Sequence, residues 1–156
     1  VSLFTESGVL TKTEMESRYD ITLEAYCKVI GIEAATMLDM AKKDILPAVT
    51  AYIKELADTA VAKKTFIPMC ECSYEEDIVS KASALSSKLY AAVKELEDNM
   101  AKASEIGGIT ELSMFYKDYI IPSMDAVRAP ADELETITAK KYWPFPTYGD
   151  LLFGVR

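Results

Sequence analysis

The stretch "SYEEDIVSKASALSSKLYAAVKELEDNMAKASEIGG", Ser73 to Gly108, decides the fold. Its apolar residues fall at Ile78, Ala82, Leu85, Leu89, Ala92 and Leu96, with Met100 and Ala103 continuing the series. Steps of three and four put one stripe on an α-helix, and the run is heptad-like. Ser73 with Glu76 three residues on has capping-box spacing, and Asp77 adds charge where the helix dipole favours it. Gly107-Gly108 supplies a stop. The spacing predicts a helix over about 73–106.

The same periodicity extends on both sides. Upstream, Leu23, Cys27, Ile30, Ala34, Met37, Ala41, Ile45, Val49, Ile53, Leu56 and Ala60 make one stripe. Thr11 and Glu14 offer a capping box at its start. A helix over about 12–63 would be about 75 Å long at the standard rise. Gly31 weakens it, and Pro47 removes the bond to the Lys43 carbonyl, so a kink is expected there. Downstream, Thr110 can cap a helix over about 110–141, carrying Tyr116, Ile120, Met124, Val127, Ala131, Leu134 and Ile137. Pro122 and Pro130 lie inside that stripe, so the helix should bend. Lys140-Lys141 suits its negative end.

The expected fold is all-α: an antiparallel bundle of three long, kinked helices in a single domain, 1–156, with a non-helical aromatic and proline-rich tail over 142–156. No alternating strand pattern, internal repeat or low-complexity linker is visible. Helices two and three, about 46 Å each, cannot cover the whole of helix one. The segment from Thr13 to Ile32 should overhang, exposing some of Ile21, Leu23, Tyr26, Val29, Ile30 and Ile32. The tail, "YWPFPTYGDLLF", poses the same problem at the other end. Trp143, Phe145, Tyr148, Leu151, Leu152 and Phe153 are therefore candidate docking residues.

Composition limits the chemistry. The net charge is −8, which disfavours nucleic acid and anionic membrane surfaces as partners. No apolar run approaches the ~20 residues that span a bilayer. The chain contains no histidine, so Ser-His and Cys-His catalysis and the commonest zinc ligand are absent. Cys27, Cys70 and Cys72 are an odd set, consistent with a reducing cytoplasmic setting. "CEC" lacks a second pair of ligands for zinc. The carboxylate runs Glu75–Asp77 and Glu95–Asp98 read as solvated helix faces. The lysine pairs 42–43, 63–64 and 140–141 belong to no Gly-x-x-x-x-Gly-Lys loop. These residues offer no catalytic, cofactor-binding or metal site. A start at Val1 rather than Met is what processing, or excision from a longer chain, would leave.

Two stretches carry a resemblance. "ESRYDITLEAYCKVIGIEAATMLDMAKKDILPAV", Glu16 to Val49, and "KYWPFPTYGDLLF", Lys141 to Phe153, resemble the C-terminal region of type III glutamine synthetases. The tail is the more specific, and Cys70 to Ile109 resembles the family mainly in helix pattern. The resemblance implies a parent chain that joins glutamate to ammonia with ATP and a divalent metal, Mg or Mn. It also implies a large homo-oligomer, with the catalytic domain of the same chain and neighbouring subunits as partners. The family's catalytic motifs lie upstream and none occurs here, so no catalytic residue is transferred. The expectation is a non-catalytic scaffold and assembly domain. The alternatives are a small-molecule regulatory module, for which Cys27 and Asn99 are the few inward polar candidates, and a free-standing helical adaptor.

Overall fold

A computed structural model describes residue 4, residue 6, residues 8–146 and residues 148–154, with Tyr148 described in its backbone only. Helix α1 spans Lys12–Met40, α2 Leu46–Phe66, α3 Ser73–Ala103, α4 Ile109–Phe115, α5 Ile121–Ile137 and α6 Tyr148–Phe153. A π-helical turn at Ala41–Ile45 joins α1 to α2, and another at Tyr116–Ile120 joins α4 to α5. The first long helical run thus extends from Lys12 to Phe66 through the π-turn. Among the described residues there is no strand.

Lys63 pairs with Glu75 at one end of α3 and Lys42 with Glu97 towards the other, so α2 and its π-turn run antiparallel to α3. Asn99 bonds Ser123, while Leu85 and Lys81 lie beside Ile137 and Glu133, so α5 also runs antiparallel to α3. Helix α3 therefore packs along both neighbours. Val49, Leu89, Val93, Leu96, Ile120, Val127 and Leu134 are sealed in the shared core.

The two prolines act differently from plain kinks. The Leu46 N–H donates to the Ala41 carbonyl, and the Ile121 N–H donates to the Tyr116 carbonyl, each one residue beyond the α-helical partner. Pro47 and Pro122 follow at once, near the start of the next α-helix, where a missing N–H matters least. Helix α5 runs through Pro130 and α1 through Gly31. A Cβ at Gly31 would stand 3.0 Å from the Tyr116 hydroxyl, so this glycine admits α4 and its π-turn close to α1.

Several boundaries differ from expectation. Thr11 caps α1 with the full capping box to Glu14, but Ser73 is not a cap. Cys72 holds that position without a side-chain capping bond, and Glu75 and Glu76 reach Lys63 and Lys64 across the connecting loop. Helix α3 ends at Ala103 rather than 106, where the Ser104 N–H already bonds carbonyls of the last turn. The third helical run starts at Ile109 from an extended Gly108, with Thr110 inside it, and stops at Ile137 because Thr138 is extended. The tail is not wholly non-helical: α6 occupies its distal part. The overhang of α1 is covered in part. Helix α4 reaches past the end of α3 and lies against Tyr19, Leu23 and Tyr26 through Thr110, Ser113 and Met114. Cys27 and Ile30 are buried there, and Ile21, Val29 and Ile32 stay exposed.

Candidate docking surfaces

The tail is tied to the bundle by one carboxylate. Glu55, in mid-α2, has no oppositely charged neighbour three or four positions away on its own helix. It accepts from Lys141 Nζ at 2.6 and 2.9 Å and from the Tyr142 hydroxyl. These donors, Lys141 first, hold the Glu55 carboxyl below its ordinary value, and the Lys141 ammonium rises correspondingly. The Tyr142 ring lies 5.5 Å from that of Tyr52, whose hydroxyl meets Tyr74's at 3.3 Å. Burial, then that hydroxyl contact, pushes Tyr52 up to about 12. Tyr142 thus closes a small aromatic cluster at one end of the bundle.

Beyond this clasp the predicted docking residues separate into two groups. Trp143 and Phe145 meet edge to face, centroids 6.1 Å apart, and are half-buried against the protein's own core. Leu151, Leu152 and Phe153 project from α6 with 67%, 69% and 82% of their surfaces exposed. The Tyr148 side chain lies outside the described residues. Lys140 reaches Asp150 at 2.6 Å and draws α6 back towards the end of α5. The lysine pair that suited a helix terminus therefore serves the tail. Nothing in local sequence marks Glu55 as its anchor, since its partners lie 86 and 87 positions away.

A second apolar surface opens where the first π-turn faces α5. A cleft of about 460 Å³ is lined by Ile32, Met37, Met40, Ile45, Met124 and Val127, with Glu33 and Arg128 at its edge. Periodicity places Met37, Ile45, Met124 and Val127 inward, but it does not reveal that the widened turn leaves space between them.

The polar candidates form no reactive constellation. Asn99 Nδ2 donates to Ser123 Oγ at 2.9 Å, and Lys102 donates to Asn99 Oδ1 at 3.3 Å, so the buried amide is matched internally. Cys27 is buried and its thiol is pushed up by desolvation. Cys72 is buried in the α2–α3 turn, its Sγ 3.8 Å from the Ala60 carbonyl, and burial raises it too. Thiols held neutral in this way are poor nucleophiles and poor metal ligands. Among the described residues no three Cys, Asp or Glu side chains gather as a metal site would require. Also among the described residues, no helix is long and apolar enough to cross a membrane.

The arrangement is all-α, with apolar faces exposed on α6 and along the cleft. Comparison with known proteins places it further. Residues 1–65 match the family model described as "Glutamine synthetase C-terminal domain". The chain is similar to a glutamine synthetase of Butyrivibrio fibrisolvens, 35% identical over the whole chain and 22% of that protein. It is similar to the type-3 glutamine synthetase of Dictyostelium discoideum, 33% identical over 98% of the chain and 21% of that protein. A glutamine synthetase of Bacteroides fragilis is 24% identical over 93% of the chain and 20% of that protein. Residues 1–65 thus belong to the glutamine synthetase C-terminal domain family, and the relatives that align along the rest of the chain are glutamine synthetases. It spans about a fifth of the length of these relatives.

Proposed function

We propose that this domain is the non-catalytic scaffold and assembly element of a glutamine synthetase. Its parent would be a chain that ligates glutamate and ammonia using ATP and a divalent metal. The observation that carries this reading is α6: an ion pair orients it, yet Leu151, Leu152 and Phe153 are turned outward. Holding three large apolar side chains in water is unfavourable by roughly 25 cal/mol per Å² of apolar surface, so a covering surface is the economical explanation. That surface belongs to the catalytic domain of the same chain or to a neighbouring subunit of a homo-oligomer. The length of the relatives favours a part of a larger enzyme over a free-standing adaptor. The apolar lining of the cleft is a poor match for glutamate, glutamine or ATP, which counts against a regulatory module for them.

The test is deletion of residues 142–156 from the full-length enzyme. The expected result is a smaller native mass, read by light scattering, together with lower glutamine-forming turnover. Unchanged mass and unchanged turnover would overturn the proposal.

A further inference from the structure

We infer that the outer face of α1 is the seat of the chain segment preceding it, so that in the complete protein this helix is buried on both sides. The inference rests on the reading above, that the domain continues a longer polypeptide.

Helix α1 carries two apolar stripes. Cys27, Ile30 and Ala34 are buried against the bundle. On another face, Ile21, Ala25, Val29, Ile32, Thr36 and Met40 follow one another in steps of four, four, three, four and four. Ile21, Val29 and Ile32 are 61%, 55% and 68% exposed. A helix facing water on one side carries charge along the middle of that side. From Ile21 to Thr36 the charged neighbours Lys28 and Glu33 flank the stripe, with Arg18 in line one turn before it and Asp39 in line at its last turn. The far end of the stripe runs into the cleft, where Ile32, Thr36 and Met40 form one wall.

The covering element is indicated by the turn before α1. Phe4 and Glu6 are helical. The N–H groups of Val9 and Leu10 both return to the Phe4 carbonyl, at 3.1 and 3.3 Å, and Gly8 has φ +67°. Such a left-handed glycine with a six-to-one bond is a Schellman-type helix stop. Phe4 and Glu6 therefore lie in helical backbone that stops at Gly8, and only Val9 and Leu10 separate Gly8 from the Thr11 cap. A link so short makes consecutive helices neighbours.

The side is set as well. Leu10 and Met15 occupy the two staple positions around the Thr11 cap, and both are half-buried. A staple fixes the angle at which the chain enters. Met15 lies about 40° round the helix from Val29, at the edge of the outer face. A helix entering there and following the stripe back to Met40 would travel about 38 Å, or about 25 residues at the standard rise.

The experiment uses the full-length enzyme with the photo-crosslinking residue p-benzoylphenylalanine at Val29 or, separately, at Ile32. Subunits grown in light and heavy nitrogen are mixed, so that adducts within one polypeptide differ in mass from adducts between two. The expected result is an intrachain adduct on the roughly 30 residues preceding α1. Adducts on a neighbouring subunit, adducts on a distant part of the same chain, or no adduct from either position would overturn the inference. None of these outcomes bears on the mass and turnover of the tail deletion, so the two readings fail independently.

Discussion

Glu55 and Lys141 are 86 positions apart in sequence and 2.6 Å apart in space. Their contact, shared with Tyr142, places Trp143 beside the core and leaves α6 on the outside. Glu55 is titratable and Trp143 is the only tryptophan, so the clasp has a built-in reporter. The Glu55 carboxyl is held below its ordinary value when folded. Its contribution is therefore complete above the unfolded carboxyl pKa of about 4.3 and is lost as pH falls through the lower, folded value. Trp143 emission should shift to the red across that acid range, before far-ultraviolet ellipticity falls. In Glu55→Gln the emission should already be red-shifted at neutral pH. A variant spectrum identical to that of the parent would count against the clasp.

Asn99 and Ser123 are 8% and 5% exposed and join α3 to α5 across the core. Ser123→Ala leaves the amide N–H without its acceptor, at a cost of about 1–3 kcal/mol. Replacing both partners, as Asn99→Leu with Ser123→Ala, removes the buried polar group and should recover most of that loss. Urea midpoints with unchanged slopes provide the measurement. Equal destabilisation in the single and double variants would contradict the pairing.

How far the sequence discloses this fold depends on how local the cause is. The stripe through Ala82, Leu85, Leu89 and Leu96 is legible because burial of one helix face repeats every turn. Met37, Ala41, Ile45, Val49 and Ile53 advance by four each time, which drifts about 40° per step on an ideal α-helix. That drift is the visible trace of the π-turn, although Pro47 alone suggests a kink. The Ser73 cap is misleading: Cys72 holds the cap position, and Glu75 and Glu76 reach lysines on another helix. Trp143 and Phe145 cannot be told from Leu151 and Phe153 by composition. What separates them is the long-range hold of Glu55 on the start of the tail.

Gly31 and Tyr116 make a close approach whose energetics can be separated. Gly31→Ala gains about 1 kcal/mol of helix propensity. The new Cβ would sit 3.0 Å from the Tyr116 hydroxyl, so the ring must shift to admit it. In the parent background the two effects should cancel or leave a net loss. In a Tyr116→Phe background the same substitution should stabilise by about 0.5–1 kcal/mol. Thermal melts of the four proteins in this cycle measure the coupling, and additive effects would show that the approach carries no constraint.

The first π-turn holds one more residue than an α-helical turn needs, and Leu46 closes it by bonding to Ala41. Deleting Lys43, an exposed residue of that turn, should return the segment to α geometry while keeping Met37 and Val49 on the core face. Deleting Lys54 from regular α2 should instead rotate everything beyond it by about 100° and pull Leu56 out of the core. The Lys43 deletion carries its own penalty. Pro47 would then stand inside a continuous α-helix, at about 3 kcal/mol. Adding Pro47→Ala should recover that amount, whereas it should not rescue the Lys54 deletion. Melting temperatures ranked parent, Lys43 deletion with Pro47→Ala, Lys43 deletion alone, then Lys54 deletion would establish that the turn accommodates the proline. If both single deletions unfold alike, and Pro47→Ala rescues neither, the extra residue has no such role.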